Sequence, residues 1–228
     1  MAAVTANTRD TLFEGQVALA QPARGDGYRV NVDAILLATF AKRARPFHSA
    51  FDLGAGVGAV GLSLLHLGAA EHVTMVEVDA ALAKLAEANA RANQWRERVT
   101  VLHADVAELG TLPAGAADLV VCNPPYVEPG RGRAPAAAHA RARSGPLSIF
   151  LDAARRLAGR RARVCFVYPA IESTTLLAEL RARGLEPKRL RAVHGRPNDQ
   201  ARVILVECAA GRPGGLSVEP PLVETSST

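Results

Sequence analysis

The stretch HSAFDLGAGVGAVGLSLLHLG, residues 48–68, decides the fold. HSAFDL (48–53) is a short apolar run that ends beside an acid, which suits a buried strand. AVGLSLLHLG (59–68) carries apolar residues at helical spacing and stops at Gly68. Between them stand Gly54, Gly56 and Gly58, a composition that lets the backbone turn tightly from strand to helix and approach a ligand closely. A strand, a glycine turn and a helix in that order make one unit of an α/β sheet.

The same alternation continues to the end of the chain. HVTMVEVD (72–79) predicts a strand, AALAKLAEANARANQ (80–94) a helix, RVTVLHAD (98–105) a third strand and ADLVVCN (117–123) a fourth. LSIFLDAARRLA (147–158) is an amphipathic helix ending at Gly159, and RVCFVYP (163–169) a fifth strand. ESTTLLAELRARG (172–184) opens with acid and hydroxyl side chains and closes on glycine, as a capped helix would. LEPKRLRAVHG (185–195) and QARVILVECA (200–209) form a closing pair joined by the turn-rich RPND. The expectation is an α/β Rossmann-like fold: seven strands, mostly parallel, the last antiparallel, with helices on both faces. Ahead of it, LFEGQVALAQ (12–21), a glycine-rich turn at RGDG (24–27), YRV and NVDAILLATFAKRA (31–44) predict a β-hairpin followed by a helix on the sheet edge. The expected division is 1–47 for this segment, 48–210 for the main domain and 211–228 for a Pro/Gly/Ser-rich tail, partly disordered.

Composition narrows the class. No apolar run reaches the roughly 20 residues a membrane helix needs, and MAAVTANTRDTLFEG lacks the basic start and apolar core of a secretion signal. Cys122, Cys165 and Cys208 each punctuate an apolar run without metal-ligand spacing, so reduced core thiols, no metal and a cytoplasmic location are expected. The net charge is +5, but 24 of the 27 basic residues are Arg, a skew that resembles coding bias. Distribution says more: nine Arg and one acid lie between Arg131 and Arg163. The basic charge is concentrated after residue 123.

Parallel sheets bind ligands beyond the carboxyl ends of their strands, so polar residues at the strand exits are the candidates. Gly56, Gly58 and Gly61 satisfy the dinucleotide fingerprint, with Glu77 about 20 residues on. Asp52, just before the first glycine, favours a cationic nucleoside over a pyrophosphate. Glu77 at the second exit suits a pair of ribose hydroxyls, while Asp79 suits the cap of the following helix. Asp105 at the third exit can accept from an adenine amino group or cap a helix. The fourth exit reads NPPY, Asn123 to Tyr126. An exocyclic or amide nitrogen is a poor nucleophile because its lone pair is delocalised. The Asn123 side-chain oxygen and the Pro124 carbonyl can each accept one of its N–H groups and turn that lone pair outward. Pro125 holds the acceptors in a preset geometry with no competing N–H, and Tyr126 can stack on the planar group.

DLGAGVG, VEVD, HAD and NPPY in this order resemble a class I S-adenosylmethionine-dependent methyltransferase acting on an amino group. GYRVNVDAILLATFAK (27–42), HARAR (139–143) and the C-terminal ARVILVECAAGRPGGLSVEPPL narrow the resemblance to the valine-tRNA adenine-N6 methyltransferase family, across residues 12–222. The run AHARARSGPL after NPPY departs from that family's His-Glu pair. The resemblance implies S-adenosylmethionine as cofactor. Asp52, Leu53, Gly54, Ala55, Gly56 and Gly58 would wrap its methionine end, Glu77 would hold its ribose and Asp105 its adenine, with Val78 and Val106 also bordering it, and the helix of Asp33 would close over it from the N-terminal side. Asn123, Pro124, Pro125 and Tyr126 would hold the target amine, with Asn123 also bordering the cofactor. Arg131, Arg133, Arg141 and Arg143 are the candidates for holding tRNA. Alternatives left open are a protein glutamine N5-methyltransferase, a ribosomal RNA guanine-N2 methyltransferase and, more remotely, an NAD-dependent oxidoreductase or a non-catalytic RNA-binding module.

Overall fold

The computed structural model describes residues 7–23, 30, 32–125, 147–211 and 213–224. Its centre is made by the most apolar runs of the sequence: β3 (Phe47–Leu53), β4 (Ala70–Glu77), β5 (Val99–His103), β6 (Ala117–Cys122) and β7 (Ala158–Pro169). These pair in parallel, and β8 (Leu185–His194) and β9 (Ala201–Ala210) complete the seven expected strands. β9 is antiparallel to both β7 and β8. The order is β8-β9-β7-β6-β3-β4-β5. Such strands read as unbroken apolar runs because both faces are covered. On β6, Leu119 and Val121 join the core on one face, while Val120 and Cys122 join the core on the other.

The first face carries α1 (Asp33–Ala41), α2 (Ala59–His66) and α3 (Ala80–Ala92), around Leu37, Leu62, Leu64 and Met75. The second carries α4 (Leu147–Leu157) and α5 (Ser173–Ala182), around Leu151, Leu157, Phe166, Leu176 and Leu180. All three cysteines are buried and unpaired, and burial pushes their thiols up, the behaviour of packing groups. No helix of the described residues is long and apolar enough to cross a membrane.

Several local expectations are corrected. The N-terminal hairpin pairs β1 (Asn7–Leu12) with β2 (Val17–Pro22), and its turn is Phe13–Gln16. Phe13, Glu14 and Gly15 all have positive φ there, so Glu-Gly inside an apolar run is the turn signal, and RGDG (24–27) lies outside the described residues. α5 has no side-chain cap; the Thr175 hydroxyl instead donates to Glu172 at 3.1 Å. β7 starts five residues early, directly at the end of α4, because Gly159 has no side chain to meet the carbonyls of Gly115 and Ala117. The tail adds β10 (Ser217–Val218) and β11 (Leu222–Val223) along β8. Its acids hold it: Glu219 pairs with Arg189 and Arg191, and Glu224 with Arg202.

The hairpin docks through two asparagines of α3. Asn93 accepts from the Ala18 N–H and donates to the Ala18 carbonyl, both at 2.8 Å. One turn earlier, Asn89 accepts from the Ala20 N–H at 2.7 Å and donates to the Ala20 and Val57 carbonyls at 2.9 Å. Two side-chain amides at i and i+4 thus imitate a neighbouring strand along β2. Asn89 is buried, so its removal leaves backbone groups without partners. Asn89→Ala is expected to cost about 1–3 kcal/mol. The measurement is a lowered urea midpoint at unchanged m-value; an unchanged midpoint would contradict this account of docking.

Candidate functional site

One residue of β3 sets the geometry. Leu53 pairs with Cys122 of β6 on one side and with Val76 of β4 on the other, while Glu77 pairs with His103 of β5. Gly54, Asn123, Glu77 and Asp105 therefore leave four adjacent strands at nearly one level. With strands about 4.8 Å apart, they span about 14 Å. The Cys122 thiol donates to the Leu53 carbonyl at 3.3 Å and ties the first two exits together.

The glycine turn is fixed from below. Gly54 and Ala55 both donate their N–H to the Val76 carbonyl at 2.9 Å, and Gly56 donates to Glu77 Oε2 at 2.7 Å. The other Glu77 oxygen accepts from the Asp79 N–H at 2.8 Å. Gly58 has φ +88°, and a Cβ there would sit 2.9 Å from the Met75 sulfur, so both conformation and space require glycine. Asp52 points up into the first turn of α2 and accepts from the Gly61 N–H at 2.9 Å.

Around this turn, Ala55 and Val106 are buried, Leu53 is fully enclosed, and Val78 is an apolar side chain left 41% exposed beside Glu77. Asp79 caps α3 by accepting from the Ala81 and Leu82 N–H groups, as expected. Asp105 also acts as a cap, accepting from the Ala107 N–H at 2.9 Å ahead of a 3-10 turn at Val106–Thr111. At the fourth exit Asn123 and Pro125 are half-buried and Pro124 is buried. Tyr126, Arg131, Arg133, Arg141 and Arg143 lie outside the described residues. Asp33 has a partner within the chain. It is buried at the start of α1 and faces Arg202 of β9 at 2.7 Å, which also pairs with Glu224. A buried carboxylate needs a cation, and Arg202 supplies it from within the chain.

Three contacts were not anticipated. Phe150 of α4 packs over the turn, its ring 3.1 Å from where a Gly54 Cβ would stand. His103 Nε2 lies 3.1 Å from the Val78 carbonyl and steadies the second exit. Asn89 reaches the Val57 carbonyl of the turn itself. Only the last had a signal: two asparagines, poor helix formers, inside an otherwise strong helix imply side chains engaged elsewhere.

The site is electrostatically poised for a cation. Asp52 is 1% exposed, and burial pushes its carboxyl up to about 7; the Gly61 N–H pulls it back, and the nearby Glu77 charge raises it further. Burial also raises Glu77, against the N–H groups of Asp79 and Gly56. Two buried carboxylates beside one glycine turn gain from a positive ligand. In the free protein the Asp52 shift has a definite sign. Its folded value lies above the ordinary 3.8, so the associated stability is complete below that pH and is lost as pH rises through about 7. Asp52→Asn keeps the acceptor for Gly61 and removes the charge. Between pH 4 and 8 the wild type should lose about 2–4 kcal/mol relative to this variant, as measured by urea unfolding at each pH. Parallel curves would refute the assignment.

The comparisons with known proteins fit this geometry. A family model described as the methyltransferase small domain matches residues 31–144. A tRNA1(Val) (adenine(37)-N6)-methyltransferase of Aeromonas hydrophila is 32% identical over 186 residues, spanning 80% of this chain and 77% of that protein. One of the same name from Flavobacterium johnsoniae is 25% identical, spanning 86% of this chain and 84% of its own. Among solved structures, a "predicted O-methyltransferase", protein Atu636 from Agrobacterium tumefaciens, superposes with a TM-score of 0.66 at 26% identity, covering 85% of this chain and 89% of that one. The M. jannaschii protein TYW2, solved in complex with AdoMet, shares the fold at a TM-score of 0.61 and 12% identity, covering 92% of this chain and 89% of that one. With a family model over half its length and a 32% identical relative over most of it, this chain belongs to the methyltransferase small domain family and is a class I S-adenosylmethionine-dependent methyltransferase.

Proposed function

We propose that the enzyme methylates the N6 amino group of an adenine in a tRNA anticodon loop. The observation that carries this reading is the order of the exits: Asn123, Gly54, Glu77 and Asp105 stand on neighbouring strands in the sequence β6-β3-β4-β5. That is the covalent order of methionine, ribose and adenine in the cofactor, with the acceptor amine beside the methionine end. The residues suit the cofactor: the turn at Gly54–Gly58 leaves no side chain at its glycines, the two buried carboxylates suit a sulfonium cation, and Val78 offers an apolar surface. Glu77 would take the ribose hydroxyls, Asp105 and Val106 the adenine, and Asp52 to Gly58 the methionine end. Asp33, held by Arg202, sets the start of α1 beside the sheet. Bound there, S-adenosylmethionine supplies an electrophilic methyl group on a positively charged sulfur.

The chain's own part is orientation. Asn123, half-buried, leaves β6 one residue beyond the Leu53–Cys122 pair, level with the glycine turn, and its side-chain amide oxygen can accept one amine N–H. The Pro124 carbonyl can accept the other. With both hydrogens held, the nitrogen lone pair turns out of the ring plane, and the amine attacks as a neutral nucleophile. The positive charge formed is discharged by loss of a proton to water, so no general base is required. Tyr126 is assigned the opposite face of the base. An adenine in a single-stranded loop reaches such a pocket at lower cost than one stacked in a duplex. Arg131, Arg133, Arg141 and Arg143 are assigned to the surrounding phosphates, and action on tRNA places the enzyme in the cytoplasm. The names of the two curated relatives support this choice of acceptor.

The test is transfer from labelled S-adenosylmethionine to bulk tRNA, ribosomal RNA and a glutamine-bearing protein acceptor, with the product identified by mass. N6-methyladenosine in tRNA is expected, and Asn123→Ala should reduce turnover about 10²–10³-fold. Label on guanine or on a glutamine amide would overturn the acceptor and keep the orientation mechanism.

A further inference from the structure

Several arginines among the described residues are answered by acids. Arg43, Arg163 and Arg189 share the buried Glu207. Arg183 is held by Asp152 at 2.6 Å and Glu179 at 2.5 Å, and Arg181 by Glu186 at 3.3 Å. Arg155, Arg160 and Arg161 are exposed with no carboxylate partner among the described residues, a state they share with the scattered Arg45, Arg96 and Arg196, but these three stand together. They line one cleft of about 810 Å³, floored by Gly115 and Gly159. Asp118 also borders it, but its carboxylate accepts from the Ser49 N–H at 3.2 Å. The cleft is a concave surface of net positive charge, three guanidinium groups against one carboxylate.

Its position gives it a use. Gly115, Asp118 and Ala158 mark the starts of β6 and β7, so the cleft opens at the end of the sheet opposite Asn123. The length of β6 separates the two by about 17 Å. α4 runs between them, with Phe150 against Gly54 near its start and Arg155 in the cleft near its end. Consecutive side chains of a strand point to opposite sides. Arg160 and Arg161 therefore flank the cleft rather than converge on one point. That arrangement suits successive phosphates along a backbone better than a single small anion.

We infer that this cleft holds the phosphodiester backbone of the substrate RNA at a distance from the methylated base, an inference that rests on the tRNA reading above. Arginine contacts to phosphate position RNA without reading its sequence. The experiment measures tRNA binding between 50 and 200 mM salt, in phosphate-free buffer, for wild type and R155A/R160A/R161A, with methyl transfer run in parallel. Three lost phosphate contacts should reduce the logarithmic salt slope by up to about 2.7, so that over this range the wild type loses about 40-fold more affinity than the variant. Cofactor affinity and melting temperature should not change, and R155K/R160K/R161K should restore the slope. Equal slopes for wild type and the alanine variant, with tRNA still methylated, would overturn the cleft and leave the reaction intact. A reduced slope in a protein that methylates no tRNA would keep the cleft and overturn the acceptor. If inorganic phosphate displaces tRNA from the wild type no better than from the variant, the backbone assignment stands. Selective displacement from the wild type at low millimolar phosphate would mark a small-anion site and refute it.

Discussion

The register of Leu53 is the constraint on which the rest of the molecule depends. Because this residue pairs with Cys122 and Val76 together, the exits of β6, β3 and β4 are level, and Gly54, Glu77, Asn123 and Pro124 all lie at or within two residues of an exit. A slip of one residue would exchange the faces of a strand and send Val121 and Val120 to the wrong cores. The two hydrophobic cores therefore hold the register, and the register holds the site. Large side chains secure the strands on both sides, with Met75 and Leu64 on one and Phe166 and Leu151 on the other.

Charge is managed differently at two places level with each other in this sheet, on β9 and on β3. Glu207 is 2% exposed and meets three guanidinium groups, so a buried negative charge is more than compensated. At the exits the reverse holds: Asp52 and Glu77 are buried with backbone N–H groups as their partners and, among the described residues, no cation. A buried carboxylate without a counterion costs stability, visible in the raised Asp52 carboxyl. Folding tolerates that cost where a cationic ligand can relieve it. This contrast, rather than the net charge of the chain, separates structural from functional electrostatics.

The sheet and its helices were legible in the sequence because each strand is short, apolar and bounded by a polar or glycine stop, and because strong helix formers fill 80–92. The exits were legible for the same reason, since an acid or an amide at the end of an apolar run has few uses. What was not legible is non-local. The Glu-Gly turn of the hairpin sits in a run whose apolar residues suggest continuity. The start of β7 depends on Gly159 passing close to Gly115, and the tail is held by arginines 20 to 30 residues away in sequence. The pairing of Asp33 with Arg202 could not be read either, because the two lie at opposite ends of the chain. Pairings of that kind leave no periodic trace.

The asparagine ladder has a consequence beyond docking. A two-stranded hairpin has two outer edges, and an unpaired edge such as that of β2 is a template on which another chain can add a strand. β1 occupies one side of β2, and Asn89 and Asn93 occupy both N–H and both C=O groups of Ala18 and Ala20 on the other. The amides of α3 thereby act as a molecular guard against edge-to-edge aggregation, at a place where neither a charged side chain nor a proline interrupts the strand between Val17 and Gln21.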